Sequence, residues 1–289
     1  MISILIPTYK WNSYTLVTQI ISSIEKENFR YEIHVIDDAS GMLYENQKIN
    51  ELKNCYFHSL RKNIGRSSIR NLLIQKANYP WLLFLDGDVI PVNKNFVNRY
   101  LVAINLQKPV IVGGIKYENC PEQKSLRWKL GKKNEEKELK KRLAAPYKYF
   151  FTGNFLIHKK VVNHLKFDES ITKYGYEDLL FAKQLQQNKL SILHISNEVY
   201  HLGIDANDVF ISKTKEALEN LSKLLLKNHL TFTDTKISLF YHKTKWLCIP
   251  YILSLFTKYL EKKALINSHL FYFNLFRLGY LHRMIEKFR

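Results

Sequence analysis

The sequence is poor in cysteine, in acidic residues and in long apolar runs. It has three cysteines in 289 residues, and no two of them form a CxxC pair. A disulfide framework and a cysteine-ligated zinc site are therefore not indicated, and a reducing compartment is favoured. No stretch reaches the roughly 18 apolar residues that a membrane-spanning helix needs. The opening "MISILIPTYK" has no basic region before its short apolar run, so we expect a first strand rather than a signal peptide.

The shortage of acidic residues leaves a large positive charge. Lysine and arginine number 44 against 26 aspartates and glutamates, which gives a formal net charge of +18. Such a surplus favours polyanionic partners, namely nucleic acid, an anionic membrane face or phosphorylated small molecules. The charge alone does not choose among these three classes.

Strands alternate with helices over the first two hundred residues. Short apolar runs such as "ISILIP" and "WLLFLDGD" indicate buried strands, and segments with apolar residues at helical spacing lie between them. This rhythm predicts an α/β fold with a mostly parallel, Rossmann-like sheet that is covered by helices on both faces. In such sheets ligands bind outside the carboxyl ends of the strands.

Acidic residues follow two of the predicted strands. Asp37 and Asp38 end "YEIHVIDD", and Asp86 and Asp88 follow "WLLFL" with Gly87 between them. The glycine frees the backbone to turn, so that both carboxylates can converge on one ligand. Carboxylates suit Mg²⁺ or Mn²⁺, which normally bridge substrate phosphates. The alternative is a polar loop in which Asp86 caps a helix.

Two further sets of residues could serve as a general base or a metal ligand, but each also has a purely structural explanation. Glu177 and Asp178 begin the predicted helix in "GYEDLLFAKQL", where acids are favoured by the helix dipole, although one of them could serve as a general base. His201 follows a predicted strand in "NEVYHLG". Local chemistry does not distinguish it from His158 or His194 as a metal ligand.

Two segments differ in character from the rest of the chain. Residues 124–148 contain "GKKNEEKELKKR", which predicts a solvated surface segment or, alternatively, a flap over a bound substrate. From Asp205 the chain is helical, basic and aromatic. Its run Trp246–Leu260 predicts either a helical layer packed on the first domain or an interfacial anchor on an anionic membrane.

The motifs occur in an order that resembles the family 2 glycosyltransferases, inverting nucleotide-sugar transferases with the GT-A fold. The matching parts are "ISILIPTYK", "VIDDAS", "NIGRSSIRN", "LFLDGD", "FTGNFLIHKK", "FDESITKYGYEDLLFAKQL" and "VYHLG". They run from about Ile2 to Gly203. The resemblance implies a GT-A nucleotide-sugar transferase domain over residues 1–204, followed by a C-terminal helical extension over residues 205–289.

The resemblance also implies roles for the matching residues. Asp178 would be the general base, and Asp88 and His201 would hold Mn²⁺ or Mg²⁺. Contacts with the nucleotide sugar would come from Pro7, Thr8, Tyr9, Asp37, Asp38, Arg70, Asp86 and Gly87, with Asp38 favoured over Asp37 for the base. Contacts with the sugar and acceptor would come from Gly153, Asn154, Tyr176 and Glu177. Tyr174 and Tyr176 flank Gly175 where the family usually has Gly-Gly or Trp-Gly, which bears on the choice of donor sugar.

The function expected from this resemblance is transfer of a sugar from a UDP-sugar to a glycan or lipid-linked glycan. We expect a cytoplasmic enzyme, with the C-terminal region as a candidate contact to the inner membrane face.

The alternatives are a non-catalytic sugar-nucleotide binder and a basic nucleic-acid-binding protein. Acids at the strand ends argue against nucleic acid as a partner, because they would repel a phosphate backbone. A nucleotidyltransferase would place a glycine-rich loop after the first strand, and "IPTYKWN" has no glycine.

Overall fold

In the computed structural model, which describes residues 1–24, 29–41, 44–119 and 125–289, the apolar runs form buried strands. The strands are β1 (Ile2–Thr8), β2 (Tyr31–Asp37), β3 (Cys55–Ser59), β4 (Trp81–Leu85), β5 (Val89–Pro91), β6 (Val110–Val112), β7 (Ile115–Lys116), β8 (Asn154–His158), β9 (Ile192–His194) and β10 (Val199–His201). The helices are α1 (Tyr14–Ile24), α2 (Tyr44–Gln47), α3 (Arg66–Lys76), α4 (Phe96–Ile104), α5 (Leu126–Asn134), α6 (Leu139–Ala144), α7 (Lys159–His164), α8 (Glu177–Gln187), α9 (Asn207–Leu226), α10 (Lys236–Thr244), α11 (Ile249–Leu255), α12 (Thr257–Asn267) and α13 (Leu270–Phe288).

The chain divides into two units. The first comprises Met1–Glu118, Asn134–Thr172 and Glu177–Gly203, and the second comprises 119–133, 173–176 and 204–289. Two short segments that precede residue 204 thus belong to the second unit. The assignment of residues 1–204 and 205–289 as a transferase domain and an extension stays a prediction.

The first unit is built on a seven-stranded sheet with the strand order β3-β2-β1-β4-β8-β6-β9. Only β8 runs antiparallel to its neighbours, β4 and β6. A smaller sheet has the order β5-β10-β7. Leu82, Leu83, Phe84 and Leu85 of β4 are fully buried, as expected for a strand that is covered on both faces. The predicted α/β fold with a mostly parallel sheet is confirmed.

The carboxyl ends of β1, β2 and β4 meet at one edge of the large sheet. Thr8 pairs with Asp37 across β1 and β2, and the next residue, Asp38, donates its backbone N–H to the Thr8 carbonyl over 2.9 Å. On the other side, Gly87 N–H donates to the Pro7 carbonyl over 3.1 Å. Backbone pairing therefore brings together the acidic loops that the sequence places far apart.

Most of α6 is exposed, as expected for a solvated surface segment, but one of its residues is buried. Arg142 in α6 is 1% exposed. Its guanidinium donates to the carbonyls of Gly113 and Ile195, each over 3.1 Å, and to the Glu198 carboxylate over 2.8 Å. These contacts fasten α6 to the loops that connect the two sheets, so this part of the charged segment is a structural support.

The second unit is helical. Its core contains Leu126 of α5 together with apolar residues from α9, α12 and α13: Phe210, Ile211, Leu260, Ala264, Phe273 and Phe276. Helix α11 crosses α13 so closely that a Cβ on Gly279 would lie 2.6 Å from the Leu253 carbonyl carbon. No helix in the described ranges combines the length and the apolar composition needed to cross a bilayer. Cys55 and Cys248 are free thiols, and Cys120 lies outside the described residues.

We predict that Arg142→Gln lowers the free energy of unfolding by about 3 kcal/mol, because it leaves Glu198 partly buried without its cation. Urea denaturation followed by circular dichroism measures the change. Arg99→Gln is the matched control, since exposed Arg99 also donates to a backbone carbonyl, that of Ser196. If Arg142→Gln lowers the free energy of unfolding no more than Arg99→Gln does, the supporting role of Arg142 is contradicted.

Candidate active site

The loop after β1 is held against the loop after β4 by small polar side chains. Ser13 Oγ donates to Thr8 Oγ1 over 3.0 Å and to the Gly87 carbonyl over 3.3 Å. A Cβ on Gly87 would lie 2.5 Å from Thr8 Oγ1, so only glycine fits between the predicted carboxylates. Thr8 is buried, whereas the Tyr9 side chain is 50% exposed beside it. Pro7, Thr8, Tyr9 and Gly87 are thus brought together, and their contact with a nucleotide sugar stays a prediction.

Asp37 and Asp38 are both buried and both committed to protein partners. The Asp37 carboxylate accepts from the Ser40 N–H and from the Ser59 hydroxyl, each over 2.9 Å, and also from the Ser40 hydroxyl. Asp38 accepts from the backbone N–H groups of Ile64 and Gly65, over 2.7 and 3.0 Å. Both acids therefore hold neighbouring loops at this edge of the sheet, and their predicted contact with a nucleoside base stays a prediction.

Arg70 and Asp86 form an ion pair at the carboxyl end of β4. Arg70 Nη2 donates to Asp86 Oδ1 over 2.7 Å, and Arg70 is 1% exposed. Burial acts to raise the pKa of the Asp86 carboxyl, but the guanidinium groups of Arg70 and Arg66 outweigh it and hold that pKa below its ordinary value. Asp86 is therefore a carboxylate at neutral pH.

The same arginine reaches a second carboxylate. Glu177 Oε1 lies 3.8 Å from Arg70 Nη1 and 3.5 Å from Arg66 Nη1, and Glu177 is buried. The Arg70 guanidinium carbon lies 5.7 Å from the centre of the Phe167 ring, which covers it on one side. Arg70 thus links the end of β4 to the start of α8, and Arg66 joins it as a site residue that sequence reasoning missed.

Asp88 and His201 lie together, as the metal prediction requires. Asp88 Oδ2 is 3.6 Å from His201 Nε2. Gly203 passes so close that a Cβ there would lie 2.1 Å from Asp88 Oδ2. Carboxylate and imidazole can both ligate a divalent cation, so the donor set fits Mn²⁺ or Mg²⁺. Within the ranges that the structure describes, no three or more His, Cys, Asp or Glu side chains are grouped to hold a metal, so the remaining ligands would be substrate oxygens or water.

Tyr117 and Glu135 are neighbours of this pair that the sequence did not reveal. The Tyr117 ring stacks on the His201 ring with centres 5.6 Å apart and an interplanar angle of 24°. The Tyr117 hydroxyl donates to Glu135. Glu135 belongs to the charged run "GKKNEEKELKKR", where no local pattern marks one glutamate among several.

Asp178 is the second residue of α8, but its ionisation differs from that of an ordinary helix-terminal acid. Burial raises the pKa of its carboxyl to about 7, and the negative charges of Glu177 and Glu135 add to this effect. The Leu179 N–H and the Arg70 charge oppose the rise without cancelling it. A carboxyl with a pKa near neutrality can accept a proton far more readily than an exposed aspartate.

The predicted sugar and acceptor residues fall into different environments. Gly153 lies beside Asp86, to which it is joined by a backbone hydrogen bond of 3.2 Å. The Asn154 amide is buried, accepting from the Tyr100 hydroxyl over 2.6 Å and donating to the carbonyls of Gly114 and Asn197, each over 2.9 Å. These bonds give Asn154 a positioning role, and its sugar contact stays a prediction. Tyr176 has a φ of 71° and belongs to the second unit.

A cavity of about 450 Å³ opens beside Gly87 in the first unit. Its lining is mostly apolar and comes from α1, β5 and the loops near them: Trp11, Asn12, Thr15, Leu16, Gly87, Val89, Ile90 and Leu202. Gly87 is the one predicted site residue in this lining. The cavity therefore adjoins the candidate site without containing its charged side chains.

The sequence model described as "Glycosyl transferase family 2" matches residues 3–166. A chondroitin synthase of Pasteurella multocida (strain Pm70) is 27% identical over 223 residues, which is 64% of this chain and 23% of the relative. The chain thus matches about a quarter of that relative's length.

Two solved structures share the fold. TarS residues 1–349 of S. aureus, in complex with UDP-GlcNAc, has a TM-score of 0.53 at 18% identity and covers 100% of this chain and 91% of its own. The mannosyltransferase PcManGT of Pyrobaculum calidifontis, in complex with GDP-Man and Mn²⁺, has a TM-score of 0.59 at 11% identity, with 99% and 86% covered. The predicted GT-A type of fold is confirmed by these likenesses.

We predict that the free energy of unfolding of Asp178→Asn, measured relative to the parent, is higher at about pH 8 than at about pH 4, by roughly 1–3 kcal/mol. The folded pKa of about 7 exceeds the ordinary 3.8, so the folded state binds the extra proton between these values. The parent therefore loses stability as pH rises through this window, whereas the neutral amide does not. Urea denaturation across this pH range measures the difference, with Asp208→Asn, an exposed acid in the first turn of α9, as the control. A pH-independent difference would contradict the raised pKa.

Proposed function

This chain is a glycosyltransferase that belongs to family 2, and on that premise we propose that it transfers a sugar from a UDP-sugar to a hydroxyl of a glycan or lipid-linked glycan. The observation that carries the proposal is the buried Arg70, which lies 2.7 Å from Asp86 and 3.8 Å from Glu177, the neighbour of Asp178. This arginine links the predicted donor-binding strand ends to the helix that bears the predicted base.

The donor lies, in this proposal, along the carboxyl ends of β1, β2 and β4. The half-exposed Tyr9 ring offers a face on which a nucleoside base can stack, and Asp38 stiffens the loop behind it through Ile64 and Gly65. Asp86 is ionised and can accept hydrogen bonds from ribose hydroxyls. The UDP-GlcNAc complex of TarS supports uridine as the base, although the GDP-Man complex of PcManGT shows that the fold also accepts guanosine.

Asp88 and His201 are the residues that would hold Mn²⁺ or Mg²⁺. A divalent cation held by these two side chains would supply positive charge to the diphosphate leaving group. Gly203 leaves the space that the Asp88 carboxylate occupies, and the Tyr117 ring stacks on the His201 ring. The Mn²⁺ complex of PcManGT supports this assignment.

Asp178 is the proposed general base. Its carboxylate accepts the proton of the acceptor hydroxyl while that oxygen attacks the anomeric carbon, and the bond from this carbon to the diphosphate oxygen breaks. Attack on the face opposite the leaving group inverts the anomeric centre. Glu177, paired with Arg66 and Arg70, would accept a second hydrogen bond from the acceptor, and Tyr176 remains a predicted acceptor contact.

The acceptor is proposed as a class rather than as a single compound. The likeness to a chondroitin synthase supports a glycan acceptor. A lipid-linked glycan would place the enzyme at a membrane surface. A non-catalytic sugar-nucleotide binder would have no use for a carboxyl whose pKa is raised to about 7, which favours the enzyme over that alternative.

We predict that UDP with Mn²⁺ raises the thermal midpoint, whereas GDP, CDP and dTDP raise it less, because binding to the native state stabilises it by mass action. Asp88→Ala should abolish the part of the shift that depends on Mn²⁺. The control is Asp168→Ala, an acid elsewhere in the first unit. If the Mn²⁺-dependent shift survives in Asp88→Ala, the cation is held elsewhere, and a larger shift with another nucleotide would change the proposed base.

We further predict that Asp178→Asn lowers the transfer rate by about a hundredfold or more and leaves UDP affinity unchanged, since the amide keeps the shape but cannot accept the proton. Release of UDP from candidate UDP-sugars in the presence of glycan acceptors gives the rate, and calorimetry gives the affinity. Asp208→Asn, at the equivalent turn of α9, should leave both unchanged. Parental transfer by Asp178→Asn would remove Asp178 from the role of base.

A further inference from the structure

Exposed apolar side chains are concentrated in one stretch of the second unit. Of the large apolar side chains that are exposed within the described ranges, ten lie between Phe240 and Phe271 and eight in the rest. Trp246 is 74% exposed and Leu255 is 65% exposed. Exposed apolar side chains concentrated in this way on a folded protein mark a candidate interaction site.

Five of these residues recur at the spacing of one helical face. They are Tyr251, Ile252, Leu255, Phe256 and Tyr259, which follow one another at i, i+1, i+4, i+5 and i+8 along α11 and α12. The helical pattern continues across the junction, where the Leu260 N–H donates to the Phe256 carbonyl over 3.0 Å. We call these five residues the α11–α12 face.

The opposite side of the same two helices is already occupied. Leu260 and Ala264 of α12 are buried in the core of the second unit, and Leu253 of α11 packs against that core. Leu253 lies directly over Gly279 of α13, where no side chain separates the two backbones. The α11–α12 face is therefore the outer side of two helices whose inner sides are fixed within the second unit.

Basic residues surround this face and acids are almost absent from it. Lys245, Lys258 and Lys262 are exposed along the stretch from residue 240 to residue 271. Its one acid is Glu261, which is paired with Lys215 at 2.6 Å. The apolar face therefore carries a net positive rim whose charge is not balanced from within the stretch.

We propose that the α11–α12 face docks on the surface of an anionic phospholipid bilayer. Tyrosine and tryptophan favour the boundary between headgroups and acyl chains, and lysine side chains extend from it to the phosphates. Cores of protein–protein interfaces are depleted of lysine, so the interleaved lysines favour lipid over a protein partner. The helices are too short to span the bilayer and lie in its surface, as amphipathic anchors do.

This docking goes beyond the proposed reaction and does not depend on it. Binding to vesicles is measured on the full chain without donor or acceptor. A failure of the docking surface would therefore leave the transferase proposal intact, and a failure of the transferase proposal would leave the docking surface intact.

Co-sedimentation with vesicles tests the proposal. The full chain should bind vesicles of phosphatidylcholine with about one third phosphatidylglycerol, and bind pure phosphatidylcholine much more weakly. Tyr251→Ser/Ile252→Ser/Leu255→Ser should lower the partition coefficient on anionic vesicles at least about tenfold. Lys258→Gln/Lys262→Gln should lower the partition coefficient on anionic vesicles about thirtyfold. The effect of this double substitution should be smaller at high salt.

The matched control is Val102→Ser/Leu106→Ser, which removes two exposed apolar side chains from the first unit and should leave binding unchanged. The emission of Trp246, taken as the difference between the parent and Trp246→Phe, should shift to shorter wavelength with anionic vesicles. This second readout needs no change to the α11–α12 face.

Three results would overturn the proposal. The first is no binding of the folded parent to anionic vesicles. The second is equal binding by the parent and by the triple serine variant at an unchanged thermal midpoint. The third is a parent that forms dimers in light scattering, ignores vesicles and becomes monomeric in the triple variant, because the α11–α12 face would then be a contact between copies of this chain.

Discussion

The candidate site depends on one buried cation. Arg70 is almost completely removed from solvent, and a guanidinium in that position is tolerated only where carboxylates compensate its charge. Asp86 provides the close partner at 2.7 Å and Glu177 the distant one at 3.8 Å. Because Asp86 follows β4 and Glu177 starts α8, the requirement to neutralise a single charge holds two remote segments of the chain at a defined separation.

Different surroundings separate the ionisation of two acids near this arginine. Asp86 is hydrogen-bonded directly to Arg70 and stays ionised, with its pKa held below the ordinary value. Asp178 stands one residue beyond Glu177, and burial together with the nearby negative charge raises its pKa to about 7. Two acids around one cation thereby acquire different protonation behaviour, which is the usual means by which one site both binds a ligand and moves a proton.

The sequence predicts most of the framework and less of the detail. Buried strands that end in acids are recognisable because hydrophobic runs and turn residues are local signals, so the mostly parallel sheet was predicted correctly, while the binding role of Gly87 stays a prediction. The burial of Arg142 was not, since it depends on carbonyls and a carboxylate that are distant in sequence, while its local surroundings are charged. The raised pKa of Asp178 was missed for a similar reason: its place at a helix start indicates an easily ionised acid, and only tertiary burial reverses that expectation.

The antiparallel strand β8 has a consequence for how the chain acquires its shape during synthesis. Strands β1 to β4 can pair as soon as they emerge, but β4 borders on β8, which is translated much later, and β6 also pairs only with β8 and β9. Until β8 arrives, the apolar edge of β4 is open, and an open strand edge is a template for pairing with other chains. Four of the seven strands therefore precede the one that covers the β4 edge, and the pairing of β8 with β4, next to the hydrogen bond from the Asp86 N–H to the Gly153 carbonyl, closes that edge.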